Sequence, residues 1–315
     1  MAKPKNSASL PRLAVNRGAV IDQLTYYARQ SPFTDPGRQA GLLDDLPRDV
    51  ARLCRVVQGL VVHYRLGHLF DLEIPKERLP EIDTRYAESM LARIAELNDG
   101  SLAEERPPEK RLVGCCRDFT VLLLAMTRYL GIPARARVGF ADYFVPGFNV
   151  DHEVAEVWDA REHRWRLVDP EIDGPPIGAR FDPTDVPRDR FIVGGLAWQV
   201  CRDGRADPET FLVDPGLEIE DTRGWPYVRH NLVHDLAALN KTEMLLWDEW
   251  GLIGKEPSEV DLALLDRVAT LTLAAAETFP EVRSIYETTS GLKVTAAVKS
   301  YSPAVPEPLE VRLRG

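Results

Sequence analysis

Residues 114–140 read GCCRDFTVLLLAMTRYLGIPARARVGF, and this stretch decides the fold. From 116 to 130 the chain is apolar nearly all round, with Phe119, Val121, Leu122, Leu123, Leu124 and Met126 in one run. A helix apolar on every side is normally a buried, central one. Gly131 supplies its C-terminal cap, Pro133 blocks continuation, and Gly114 permits a sharp approach to its first turn. Cys116 is thereby placed at the helix start, where unpaired N–H groups and the helix dipole favour an anion. Both effects lower a thiol pKa and prepare a thiolate. The backbone N–H of Cys116 is also a natural donor to an oxyanion formed on its own sulfur. Asp118 adds a nearby negative charge, but it suits a helix start and reads as structural. Cys115 and Cys116 diverge, so only one faces a given cleft; taken alone, such a pair reads as buried packing thiols.

Two later blocks change that reading. DHEVAEVWD over 151–159 carries His152, and WRLVDP over 165–170 carries Asp169. Both read as strands joined by the polar stretch Asp159 to Arg164. A hairpin looping over Asp159–Glu162 pairs Trp158 with His163, 156 with 165, 154 with 167, and His152 with Asp169. That register sets imidazole and carboxylate side by side on one face, and a slip of one residue would separate them. A thiol, an imidazole and a carboxylate in this order are what a nucleophile with an oriented base requires. The carboxylate would fix the tautomer and steady the imidazolium.

Gly114-x-Cys116-x-Asp118-Phe119, then LGIPARARVGF, then His152 with an acidic residue four on, then Trp165 and Val168-Asp169-Pro170, resembles the transglutaminase-like superfamily. The resemblance covers roughly residues 110 to 173. It implies an α+β fold with a papain-like core, in which the central Cys-bearing helix packs on an antiparallel sheet. It implies Cys116 as nucleophile, His152 as general base and acid, and Asp169 as orienter. Many members carry an aromatic shortly after the His, where this chain has Glu153 and Val154. The segments SPFTDPG, RVVQGLVVH, FDPTDVPRDRF and RHNLVHDLAALNK are similar to those of a bacterial subgroup of full-length transglutaminase-like proteins. No metal or organic cofactor is implied, and no calcium requirement.

Four parts are expected: a disordered tail over 1–17, an N-terminal helical part over 18–109, the catalytic core over 110–224, and a C-terminal helical extension over 225–315 packed on it. Helices are expected at 18–30, 48–66, 84–97, 188–202, 229–249 and 258–279, with strands at 134–140, 152–158 and 165–169. From Gly291 the chain reads as a strand or extended tail. FADYFVPGFNVD, between the first two strands, holds Tyr143 and Phe144 as substrate-binding candidates: it reads as a lid or substrate wall, or equally as a packed loop.

Several other residues draw attention. Papain-type sites often take a second oxyanion donor from a side-chain amide upstream of the Cys, and Gln58 is the candidate. Arg135 and Arg137 share a strand face and could clamp a substrate carboxylate, although such arginines more often form surface ion pairs. His230 and His234 have metal-binding spacing but no accompanying third ligand, so they read as structural. His63 and His68 read as surface or capping groups, and Trp225, Trp247 and Trp250 as packing.

The chain of 315 residues has a formal net charge of −10, which argues against a nucleic-acid surface and mildly against anionic membranes. Its N-terminus lacks a continuous apolar h-region, and no apolar run approaches a membrane span. Its four cysteines form no disulfide framework, so a reducing cytoplasm is the expected location. The expected chemistry is acyl transfer through a Cys116 thioester, from a small-molecule or peptide amide (or an ester or thioester) to water or an amine. The alternatives are a non-catalytic binding or scaffold protein, and an amide synthase using carrier-bound acyl groups. The carrier protein of the last would need a local basic patch at Arg135 and Arg137.

Overall fold

The computed structural model describes residues 17–172, 179–219, 221–256 and 258–314. The tail expected over 1–17 lies outside them apart from Arg17, which opens the first helix. In chain order the elements are α1 (Arg17–Tyr27), α2 (Val50–Leu60), β1 (Val61–His63), α3 (Ala87–Leu97), β2 (Leu112–Gly114), α4 (Cys116–Tyr129), β3 (Ala134–Ala141), β4 (Asn149–Asp159) and β5 (Arg164–Val168). There follow β6 (Phe191–Val193), α5 (Gly194–Arg202), β7 (Phe211–Leu212), α6 (Gly224–Leu239), β8 (Asp248–Glu249), α7 (Glu259–Leu273), α8 (Phe279–Thr288), β9 (Ala297–Ser300) and β10 (Leu309–Arg312). The fold is α+β.

The Cys-bearing helix α4 is buried at every position from Cys116 to Arg128. It packs on β3 and β4, where Ala134, Ala136, Val138, Ala155 and Val157 join its leucines in one core with α2 and α3. Small and β-branched residues suit that sheet face because they let a helix approach closely. The sheet runs β5-β4-β3-β6, antiparallel throughout, with β7 added parallel to β4. Helix α6 lies along β3, and Asn231 Nδ2 donates to the Gly139 carbonyl at 2.9 Å.

Several charged residues inside the core are paired. Arg117, fully buried in the first turn of α4, donates to the carbonyls of Arg85 and Glu243. Arg128, in its last turn, bonds Glu243 Oε1 at 2.9 Å. Both ends of the helix are thus tied to the 240–245 segment. Such pairs fix position more than they add net stability.

The β4–β5 register differs from the expected one. Trp158 pairs with Trp165, Glu156 with Leu167, and Ala155 with Val168. The reason is the turn. Asp159 Oδ1 accepts from the N–H groups of Arg161 (2.7 Å) and Glu162 (3.0 Å), and His163 takes a left-handed φ of 53°. The loop is therefore Ala160–His163, and the strands are offset by two residues, which preserves the face of every side chain.

Other boundaries also move. The helix expected over 48–66 stops at Leu60, because Val61–His63 pair parallel with Leu112–Gly114. The expected 188–202 helix is a short strand followed by α5. The one expected over 229–249 ends at Leu239, where Lys241 turns left-handed at φ 58°. The one expected over 258–279 ends at Leu273, and a further helix that was not expected, α8, follows with Pro280 in its first turn. The C-terminal region is helical only in part, since β8, β9 and β10 form a three-stranded sheet. No helix among the described residues is long and apolar enough to cross a membrane.

Candidate active site

Strand β4 delivers His152, and the residue just past the end of β5 is Asp169; both are buried. His152 Nε2 and Asp169 Oδ2 lie 2.8 Å apart. The Asp169 carboxylate also accepts the Tyr143 hydroxyl at 2.7 Å and, on Oδ1, the backbone N–H of Glu171 at 3.0 Å. A carboxylate oxygen offers no hydrogen, so Nε2 carries it and Nδ1 is left as the basic nitrogen.

Cys116 opens α4. Asp118 accepts from the Cys115 N–H at 2.9 Å, closing the helix start as its sequence position suggests. Gly114 is required there: a Cβ would lie 2.8 Å from Asp118 Oδ2 and 2.9 Å from Val61 Cγ1. Cys116 Sγ, a ring nitrogen of His152 and a carboxylate oxygen of Glu171 all lie within 4.8 Å of one another.

The electrostatics of this trio depart from the sequence expectation. The helix start alone favours a thiolate, yet the Cys116 thiol is pushed well above its ordinary value. The hydrogen bond with Cys115 is the main cause, followed by burial and by the negative charges of Cys115, Glu171 and Asp151. Burial opposes a charge on His152, but the adjacent Asp169 outweighs it and raises the imidazole. Burial pushes Glu171 up to about 8. Asp151 is raised to about 6 for the same reason, although Asn231 and Tyr227 donate to it at 2.8 Å each.

These groups line a cleft of about 1410 Å³. Tyr143 and Phe144 form part of its wall, and their ring centroids stand 6.1 and 4.9 Å from that of His152, edge-on. Arg135 and Arg137 are elsewhere. Both are buried: Arg135 bonds Glu156 at 2.7 Å, and Arg137 forks onto Asp235 with two bonds of 2.8 Å. They form neither a substrate clamp nor a basic surface patch for a carrier. Gln58 also departs from expectation, since its amide donates to the Glu171 carbonyl and it faces a neighbouring cavity.

His63, expected as a surface or capping group, lines the same cleft as Cys116 and also caps the turn that follows β1. Its Nδ1 accepts from the Arg65 N–H at 3.2 Å, and burial pushes the ring down to about 3. His230 and His234 stack on each other at 4.2 Å, and His234 Nε2 bonds the Asp248 carbonyl, so they serve packing. Glu171 was missed because it sits in a Pro-, Gly- and Asp-rich stretch without periodicity. Its only signal was adjacency to Asp169.

The comparison with curated proteins returned no match. Among solved structures, a candidate cysteine protease from Cytophaga hutchinsonii aligns at 19% identity and a TM-score of 0.24. The alignment covers 56% of this chain and 46% of that one, so less than half of that protein is spanned. Residues 88–170 match the family model for the transglutaminase-like superfamily. That stretch contains α4, β3, β4 and β5 together with Cys116, His152 and Asp169, and over it the chain is similar to the transglutaminase-like superfamily.

Proposed function

We propose that the chain is a cysteine enzyme that transfers the acyl group of an amide, ester or thioester, in a small molecule or peptide, through a thioester on Cys116. The approach of Cys116 Sγ and His152 within 4.8 Å, with Asp169 bonded behind the ring, is the observation that carries the reading. The thiol is neutral at rest, so His152 Nδ1 takes its proton as sulfur attacks the carbonyl carbon. Asp169 holds the ring and stabilises the imidazolium that forms.

The oxyanion is met by the Cys116 N–H, one of the free donors of the first helical turn. The second donor is His63. With Nδ1 accepting from Arg65, its neutral ring carries hydrogen on Nε2. The imidazolium of His152 then gives its proton to the leaving group. Water or an amine attacks the thioester, again with His152 as base, and the free thiol returns.

The test uses p-nitrophenyl acetate as a generic donor, with intact-mass analysis of the protein. One acetyl group should form on Cys116, absent in Cys116→Ala, and hydroxylamine should release it as a hydroxamate. A His63→Ala variant should acylate about 100-fold more slowly. Absence of any acyl-enzyme in the wild type would reject acyl transfer.

A further inference from the structure

We infer that Cys116, His152 and Glu171 form a binding site for a zinc-class divalent cation that caps the thiol and holds it inactive. The inactivating sense rests on the acyl-transfer reading above, whereas the binding site rests on geometry alone.

Glu171 is the key residue. A relay of Cys, His and Asp has no need of a second carboxyl, yet this one is only 5% exposed and comes within 4.8 Å of both the sulfur and the ring nitrogen. Its carboxyl makes no hydrogen bond to any described residue and lines the cleft, where a ligand can reach it. Its backbone is held firmly: the N–H bonds Asp169 Oδ1 at 3.0 Å, and the carbonyl accepts Gln58 Nε2 at 3.2 Å.

The three donors match zinc. Thiolate, imidazole and carboxylate are its usual ligands at bond lengths of about 2.0–2.3 Å, and three protein ligands plus a water are a common set. A tetrahedron with such bonds holds its donors roughly 3.4–3.8 Å apart. Side-chain rotations of about an ångström therefore close the set. A hard cation that prefers an all-oxygen shell gains little from the thiolate.

The surroundings fit as well. Ligating histidines commonly donate their other nitrogen to a carboxylate, and His152 Nε2 does so to Asp169 at 2.8 Å. The lone pair on Nδ1 is left for the ion. On binding, the Cys116 and Glu171 protons pass to bulk water, and the fourth position faces the cleft.

The experiment uses the metal-free, full-length protein titrated with Co²⁺ and Zn²⁺. Zinc affinity is read by competition with a chromogenic chelator, and Cys116 access by iodoacetamide labelling with mass mapping. Expected are one ion per chain, a thiolate-to-cobalt charge-transfer band lost in Cys116→Ser, and labelling slowed at least tenfold by zinc. Glu171→Gln should weaken zinc binding by at least tenfold. Failure to bind, or Glu171→Gln binding as tightly as wild type, overturns the site. So does an ion that persists in Cys116→Ser, which would lie at another place such as His230–His234. A protein acylated on Cys116 but indifferent to zinc sinks this inference and leaves acyl transfer standing. One that binds zinc through Glu171 but is never acylated does the reverse.

Discussion

Tyr143 donates its hydroxyl to Asp169 at 2.7 Å, on the same oxygen, Oδ2, that His152 reaches. Burial, reinforced by Asp169, pushes the phenol well above its ordinary value, so it remains a donor at every working pH. Two donors converging on one oxygen set the direction of the carboxylate and with it the plane of the imidazole. A hydrogen bond to a charged group is worth about 1.5–3 kcal/mol. Tyr143→Phe should therefore slow Cys116 acylation by about tenfold or more while the melting temperature moves by only a few degrees. An unchanged acylation rate would mean that the Tyr143 hydroxyl plays no part in orienting His152.

Glu171 gives a pH signature for stability. Its folded-state pKa, about 8, lies above its value in an unfolded chain. The native state thus holds a proton that the unfolded state has released. The resulting stability is full below the unfolded pKa and is lost as pH rises through the folded one. Between about pH 6 and pH 9 this loss is on the order of 2 kcal/mol. Glu171→Gln should flatten that decline, which urea unfolding at the two pH values would measure. An equally steep decline in the variant would assign the loss to other groups.

The Arg137–Asp235 pair separates a structural from a substrate-binding arginine. Arg137 also reaches Glu156 Oε2 at 3.2 Å, and Asp235 accepts the Val138 N–H at 3.0 Å, joining α6 to β3. Burial works against a charge on Glu156, but Arg135, Arg137 and Arg188 together hold it well below the usual carboxylate range. Removing one member leaves a buried charge uncompensated, at a cost of about 3–5 kcal/mol. Arg137→Ala should lose that much stability by chemical denaturation. A variant of native stability with only its substrate affinity weakened would restore the clamp.

Much of the site was legible because its signals are local. The run from Phe119 to Leu130 can only be a buried helix, and alternation in Arg135–Val138 and in His152–Trp158 marks strands. The face shared by His152 and Asp169 depends on parity, so it survived a register error of two residues. What was hidden depends on long-range pairing. Val61–His63 continues the apolar spacing of α2 and becomes a strand only because Leu112–Gly114 lies beside it. That pairing brings His63 to the cleft, and no local pattern announces it. The depressed thiol pKa expected from the helix start failed for a different reason. The hydrogen bond with the neighbouring Cys115 raises the thiol most, burial follows, and the nearby Glu171 and Asp151 add to them, together outweighing the dipole.

The most direct test is iodoacetamide labelling of the native protein, with mass mapping of all four cysteines in wild type and His152→Ala. Cys54, Cys115, Cys116 and Cys201 are 0, 3, 7 and 5% exposed, so burial alone hardly separates Cys116 from Cys201. Reaction requires the thiolate. Cys116 should label first and selectively, and loss of His152 should slow it by at least tenfold. Labelling first at Cys115 or Cys201, or a Cys116 rate indifferent to His152, would contradict a thiol activated by its imidazole neighbour.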